Sequence, residues 1–94
     1  GLAFLGTPEA ACIGQEVLNL LKPINTTSLY RTDDGGPDIQ QWTNMGVPGA
    51  GLWTQNDKYF WYHHSGADTM DIEDPQTLNL CTALWATVSY VIAD

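Results

Sequence analysis

The chain has 94 residues, of which three are basic and eleven acidic, for a formal net charge of −8. This length corresponds to one small domain or to a piece of a larger one. Because nucleic acids and anionic membranes attract lysine and arginine patches, the acidic balance argues against both as partners. The most apolar stretch is interrupted by Asn79, Thr82, Thr87 and Ser89, so none reaches transmembrane length.

The two ends of the chain resemble cut ends. The sequence begins at Gly1 without an initiator methionine or a signal peptide, and it stops at Asp94 directly after an apolar run. We therefore expect a fragment or a processed chain rather than a complete gene product.

The first predicted element is a helix that begins near Pro8. Thr7 is a favourable N-cap, Pro8 suits the first helical position, and Glu9 places an acid in the first turn. Apolar residues recur at helical spacing at Ala10, Ile13, Val17, Leu20 and Leu21. Lys22 and Pro23 end the helix.

The middle of the chain predicts two strands and a short helix. Residues 27–31 favour a strand, and residues 33–37 form a loop. Asp38 is expected to cap a helix over residues 39–45. Residues 47–53 are apolar and rich in glycine, which is consistent with a buried strand.

The last third predicts a long loop and then a helix. Asp74 and Pro75 open this helix as N-cap and first-position proline. Its apolar residues form one broad stripe, Leu78, Cys81, Leu84, Trp85, Val88, Val91 and Ile92. The alternation of helices and strands predicts an α/β layered fold. In such folds the loops after the carboxyl ends of strands carry ligands, and the long loop follows a strand.

The chain contains two cysteines, Cys12 and Cys81, which are too few for a disulfide framework. Each falls on the apolar face of a predicted helix. We therefore expect two buried free thiols.

His63 and His64, in the long loop, are the candidate metal ligands. An imidazole is a common zinc ligand. In an extended segment successive side chains point to opposite sides, so only one of the two is expected to bind a given metal. The alternative is a hydrogen-bonded loop imidazole or a pH-sensitive surface group.

Asp68 lies four residues after His64 and is a candidate to support that imidazole from behind. The alternative for Asp68 is that it accepts hydrogen bonds from the backbone of its own loop. Asp71 and Glu73 are expected to be solvated.

Aromatic residues at positions 53 and 59–62 precede the histidines. They are expected either to pack the loop against the rest of the chain or to form a subunit contact, in which aromatic residues are enriched. The alternative is the wall of a pocket for an apolar side chain. Asn25, with Thr26 and Thr27, matches the N-glycosylation pattern and supports secretion weakly.

A family resemblance covers the whole chain. The segments that carry it are Gly46 to Ala50, Tyr59-Phe60, His63-His64-Ser65, Asp68-Thr69-Met70, Asp74-Pro75, Trp85-Ala86, Val88 to Val91 and Ala93-Asp94. Together they resemble the C-terminal part of the co-catalytic dizinc aminopeptidase/carboxypeptidase family. The resemblance implies part of an α/β/α sandwich with a mixed central sheet, and a secreted or lysosomal homodimeric dipeptidase with two zinc ions per complete site.

The resemblance also assigns roles to single residues. The family pattern His-x-x-x-Asp-Thr places a zinc-ligand histidine at His64. His63 falls at the preceding position, where many relatives carry an aromatic residue, and Asp68 supplies the aspartate of the pattern. Asp38 matches a recurrent aspartate at a helix start, without a ligand role.

The resemblance places the other zinc ligands and the catalytic glutamate upstream, and they have no counterpart here. Residues 1–94 are therefore expected to be the C-terminal segment of a single dizinc catalytic domain, with no catalytic residue of their own. The implied partners are a small peptide substrate, the remainder of the catalytic domain and a second copy. The alternative is a non-catalytic protein-interaction module on a peptidase fold, or an inactive fragment.

Overall fold

The computed structural model describes residues 1–94 as a three-stranded sheet with four α-helices. The elements are β1 (Leu2–Leu5), α1 (Pro8–Asn19), β2 (Leu29–Arg31), α2 (Gly36–Asn44), β3 (Gly49–Leu52), α3 (Tyr59–Tyr62) and α4 (Pro75–Ala93). Short 3₁₀ turns lie at Lys22–Ile24 and Met70–Ile72. The prediction of an α/β chain is confirmed.

The sheet is mixed and its strand order is β2-β1-β3. β1 pairs in parallel with β2, with Leu2 opposite Leu29, and antiparallel with β3, with Leu2 opposite Leu52 and Leu5 opposite Gly49. This combination of pairings agrees with the mixed sheet that the resemblance implied.

Helices cover both faces of the sheet. On one face α1 and α4 meet β1, and Leu2, Leu18, Leu21 and Leu84 form the buried core. On the other face α2 lies against β3 so closely that a Cβ at Gly49 would approach Ile39 Cγ2 to 2.8 Å. Only glycine at this position therefore lets α2 approach without displacement, and the chain forms three layers.

Two predicted helix starts are confirmed. The Thr7 hydroxyl accepts a hydrogen bond from the Ala10 N–H at 3.2 Å, and the Asp74 carboxylate accepts one from the Thr77 N–H at 2.8 Å. The bonds from the Thr77 backbone and hydroxyl lower the pKa of Asp74.

The local structure differs from the sequence predictions in three places. β1 is a strand that was not predicted, and α3 is a helical turn inside the expected loop. Asp38 is not the N-cap of α2, because the helix begins at Gly36 and Gly35 occupies the cap position. Pro37 fits the first helical turn, which allows this earlier start; Asp38 lies exposed in that turn.

The cysteines are free, as expected, but they are not both buried. Cys12 is exposed and Cys81 is half-buried. On α1 the buried residues are Ala11, Gly14, Val17 and Leu18, whereas Ile13 and Leu20 of the predicted apolar pattern are exposed. The buried face is therefore rotated around the helix from the predicted one, and Cys12 lies outside it.

Most of the apolar surface of α4 is exposed. Only Leu84 of its stripe is fully buried, whereas Leu78, Trp85, Val91 and Ile92 are exposed. Nine of the 94 residues of the chain are buried. None of the helices combines the length and the apolar character that a membrane span requires.

Candidate metal-binding loop

The histidine loop leaves the sheet at the end of β3. Because β3 runs antiparallel to β1, Leu52 lies beside Leu2, at the end of the sheet where β1 and β2 begin. The loop does follow the carboxyl end of a strand, as predicted. The carboxyl ends of β1 and β2, however, lie at the opposite end of the strands, away from this loop.

Trp53 fixes the start of this loop to the sheet. Its N–H donates to the Gly1 carbonyl at 2.8 Å, and the Gly1 amino group donates to the Trp53 carbonyl at 3.0 Å. The ring of Trp53 meets that of Tyr30 edge-on, with centroids 4.7 Å apart. The loop therefore has one firm anchor before it extends away.

The turn α3 brings Tyr59 and His63 together. The His63 N–H donates to the Tyr59 carbonyl at 2.9 Å, which is the bond of one helical turn. Residues four apart on a helix are neighbours, and the two rings stack with centroids 4.6 Å apart and planes at 29°. The sequence pattern did not single out Tyr59 for this contact.

His64 has a left-handed backbone conformation, with φ at 55°. The chain reverses there, and the ring centroids of His63 and His64 lie 3.8 Å apart. The expectation that these side chains point to opposite sides is therefore wrong, because the segment is not extended. Both histidines are exposed.

Ser65 closes the turn after the histidines. Its hydroxyl donates to the Tyr62 carbonyl at 2.7 Å and accepts from the Ala67 N–H at 3.3 Å. Sequence analysis missed this residue, although serine is a common turn residue for this reason.

Asp68 lies exposed on the same loop. Its N–H donates to the Ser65 carbonyl at 3.2 Å, and its carboxylate makes no hydrogen bond to either imidazole or to the loop backbone. Ser65, not Asp68, makes the side-chain bonds to the loop backbone. The supporting role of Asp68 behind His64 remains a prediction.

The donor set of the loop is compatible with a metal but is incomplete within this chain. Imidazole suits zinc, and the exposed ring of His64 is open to a further group. No three His, Cys, Asp or Glu side chains gather closely enough to hold a metal ion. Since a catalytic zinc takes about three protein ligands, the chain alone does not hold a complete set.

The exposed aromatic residues of α3 do not pack the loop down. Phe60 is 84% exposed and Trp61 is 75% exposed. The Lys58 ammonium lies 5.9 Å from the centroid of the Trp61 ring. The expectation of packing within the chain is therefore wrong for these two residues, whereas a contact with another chain remains a prediction.

Asn25, in the glycosylation pattern, is exposed after the first 3₁₀ turn. Its backbone is left-handed, with φ at 53°, and its N–H donates to the Lys22 carbonyl at 3.0 Å.

An apolar cavity of about 460 Å³ lies between α1, α4 and the sheet. Phe4, Val17, Ala50, Val88 and Ile92 are among the residues that line it, and the lining includes no acid, base or thiol. The histidines lie elsewhere, so the cavity does not belong to the metal-binding loop.

Comparison with known protein families shows to which family this chain belongs. Peptidase family M28 matches residues 2–89. The chain belongs to peptidase family M28. The resemblance noted from the sequence is therefore confirmed at the level of an M28 peptidase family.

The similar M28 proteins include several named carboxypeptidase Q. Over 94 residues, all of this chain, the chain is 54% identical to carboxypeptidase Q of Xenopus laevis, 49% to that of Bos taurus and 47% to that of Homo sapiens. In each case the chain spans 20% of the relative's length, in its C-terminal segment. No solved structure matches the chain.

Proposed function

We propose that this chain is the C-terminal segment of the catalytic domain of a zinc-dependent exopeptidase, a dipeptidase similar to carboxypeptidase Q. In this proposal His64 is the zinc ligand that the segment contributes, and the remaining ligands come from the rest of the domain. A complete site holds two zinc ions and hydrolyses small peptides.

The observation that carries the proposal is the match of the whole chain to carboxypeptidase Q, with an accessible His64 in the His-x-x-x-Asp-Thr pattern. The exposure of the His64 ring supports the assignment, because a ligand to a metal held by another part of the domain must face outward from this segment. The loop that holds it is built from short hydrogen bonds to Tyr59 and Tyr62.

The chemistry follows from the group that His64 would help to hold. A zinc ion bound at such a site lowers the pKa of its water and polarises the scissile carbonyl. The task of His64 is to present one ring nitrogen to the metal while its other nitrogen meets an acceptor. Asp68, four residues after His64 in the same loop, is the proposed acceptor.

The other elements of the proposal concern partners and location. The exposed apolar residues of α4 and α3 would be covered by the remainder of the catalytic domain and by a second copy in a homodimer. The protein would be secreted or lysosomal, with a glycan on Asn25, whose exposed position supports modification.

The experiment that tests the proposal is a zinc count by elemental mass spectrometry on the full-length protein that carries this chain. We expect about two zinc ions per copy in the wild type and loss of one in H64A. Q41A, a substitution of an exposed residue on α2, is the control and should keep both. An H64A protein with two zinc ions and full peptidase activity would refute the assignment.

The second candidate function is a non-catalytic interaction module on the same fold. The exposed aromatic side chains of Phe60 and Trp61 favour it, because such residues are enriched in interfaces. The zinc count separates the two functions: essentially no zinc in the wild-type protein favours the module, and two zinc ions favour the peptidase.

A further inference from the structure

The rings around the predicted ligand form a connected set, which we call the histidine–aromatic cluster: Tyr59, Phe60, His63 and His64. His63 is its centre. The centroid of His63 lies 4.6 Å from that of Tyr59, 6.1 Å from that of Phe60 and 3.8 Å from that of His64. His64 thus contacts the rest of the cluster through His63.

We infer that Tyr59 is a positioning residue for the metal ligand His64 and that it acts through the ring of His63. The inference rests on the proposed function, in which His64 binds zinc. It adds a residue to which no role in metal binding was assigned.

The backbone explains why Tyr59 can act at this distance in the sequence. The hydrogen bond from the His63 N–H to the Tyr59 carbonyl fixes the spacing of the two residues, and their stacked rings are tilted by only 29°. The left-handed conformation of His64 then returns its ring to His63. A change at Tyr59 is therefore transmitted through one intermediate ring.

Exposure explains why this positioning matters. The imidazole of His64 is not enclosed by the core of the chain. Without the contact to His63, its side chain would therefore have several rotamers accessible. Contact with a held ring reduces that freedom before the metal binds, and a preorganised ligand loses less conformational entropy on binding. Residues that orient a metal ligand typically change metal affinity 10- to 100-fold when they are replaced.

The ring, rather than the hydroxyl, of Tyr59 carries the effect. The hydroxyl makes no hydrogen bond, whereas the ring stacks on His63 and meets Phe60 edge-on at 5.0 Å. Phenylalanine at position 59 should therefore be equivalent to tyrosine, and alanine should not. Trp61 gives a matched control, because it is an aromatic residue of the same turn and is 75% exposed outside the cluster.

The experiment measures the zinc dissociation constants of the full-length protein by competition with a chromogenic chelator, for wild type, Y59A, Y59F, W61A and H64A. We expect Y59A to weaken zinc binding at one position about 10-fold. Y59F and W61A should bind zinc like the wild type, and H64A should lose that position. In the cobalt(II)-loaded protein, Y59A should also change the visible absorption of the bound ion, which a purely structural role would leave unchanged.

The outcomes separate this inference from the proposed function. Wild-type zinc affinity in Y59A, with loss of one zinc in H64A, would overturn the positioning role alone. Retention of both zinc ions in H64A would instead overturn the ligand role of His64, and the positioning role with it.

A second pair of variants covers the case in which Y59A disturbs the fold of the loop. H63F keeps an aromatic ring between Tyr59 and His64, whereas H63A removes it. We expect H63F to retain the zinc affinity and H63A to weaken it as much as Y59A. Equal affinity in H63F and H63A would contradict transmission through the ring.

Discussion

Asn25 and His64 are the two residues other than glycine with positive φ angles. Both lie at positions with proposed chemistry, a glycan attachment site and a metal ligand. Such a conformation is unfavourable for most L-residues, but asparagine and histidine adopt it more readily than others. In both cases the backbone turns the side chain outward at the end of a short helical turn, where a second molecule or another part of the domain can reach it.

The conformation of Asn25 leads to a prediction about stability. Replacement by alanine and by glycine both remove the glycosylation pattern, but only alanine is penalised at φ of 53°. We expect N25A to be less stable than N25G by about 1 kcal/mol, because a left-handed L-residue costs about that much. Urea unfolding of the two unglycosylated variants measures the difference, and equal midpoints would contradict it.

At the scale of elements, the sequence determines the structure most clearly at the starts of the two long helices. Both long helices begin with a capping side chain followed by proline, Thr7-Pro8 for α1 and Asp74-Pro75 for α4. The cap satisfies a backbone N–H that has no partner within the helix. In α4 the same oxygen of Asp74 also accepts from the Thr77 hydroxyl at 2.8 Å, so the cap depends on the charge state of one carboxylate.

That dependence predicts how stability varies with pH. The hydrogen bonds from Thr77 lower the pKa of Asp74 in the folded protein. A depressed folded pKa gives a contribution that is present above the unfolded value, about 3.9, and that is lost as the pH falls further. We therefore expect the wild type to lose more stability than D74N between pH 5 and about pH 3.

D74N is the matched control because asparagine also caps helices but does not titrate. The ten other acidic residues are the same in both proteins, so any common effect cancels in the comparison. Parallel loss of melting temperature in the two proteins would refute the role of Asp74.

Sequence patterns predicted the elements whose signals are local. The caps of α1 and α4 consist of adjacent residues, and the residues 29–31 and 49–52 that form β2 and β3 lie within the predicted strands. β1 was missed because four apolar residues show no alternation, and what makes them a strand is pairing with two distant segments. Similarly, the histidine spacing indicated a ligand loop, but the turn at His64 depends on its backbone conformation, which no pattern encodes.

At the scale of the whole molecule, the chain is less compact than a typical domain of the same length. Its radius of gyration is 14.2 Å, whereas a compact domain of this length has about 12.4 Å. The core consists chiefly of Leu2, Leu18, Leu21 and Leu84, and large apolar side chains such as Phe60, Tyr90 and Ile92 remain exposed. Exposed apolar surface of this extent usually marks a site where another protein, or another part of the same protein, binds.

The exposed surface predicts the behaviour of residues 1–94 in isolation. We expect the isolated chain to enhance the fluorescence of an apolar dye and to self-associate at micromolar concentration, because apolar area gains free energy on leaving water. The full-length protein should bind less dye per copy. Dye titration with analytical ultracentrifugation measures both effects; a monomeric chain without dye binding would contradict the prediction.

The central place of β1 in the sheet has a consequence for synthesis on the ribosome. β1 comprises Leu2–Leu5, yet its two neighbours end only at Arg31 and Leu52. In a chain synthesised from its amino end, one edge of this apolar strand can therefore pair once Arg31 has been made, whereas the other edge stays unpaired until Leu52 has been made. Such a strand can pair with other nascent chains. Slow translation between β1 and β3 would prolong the exposure of this strand edge.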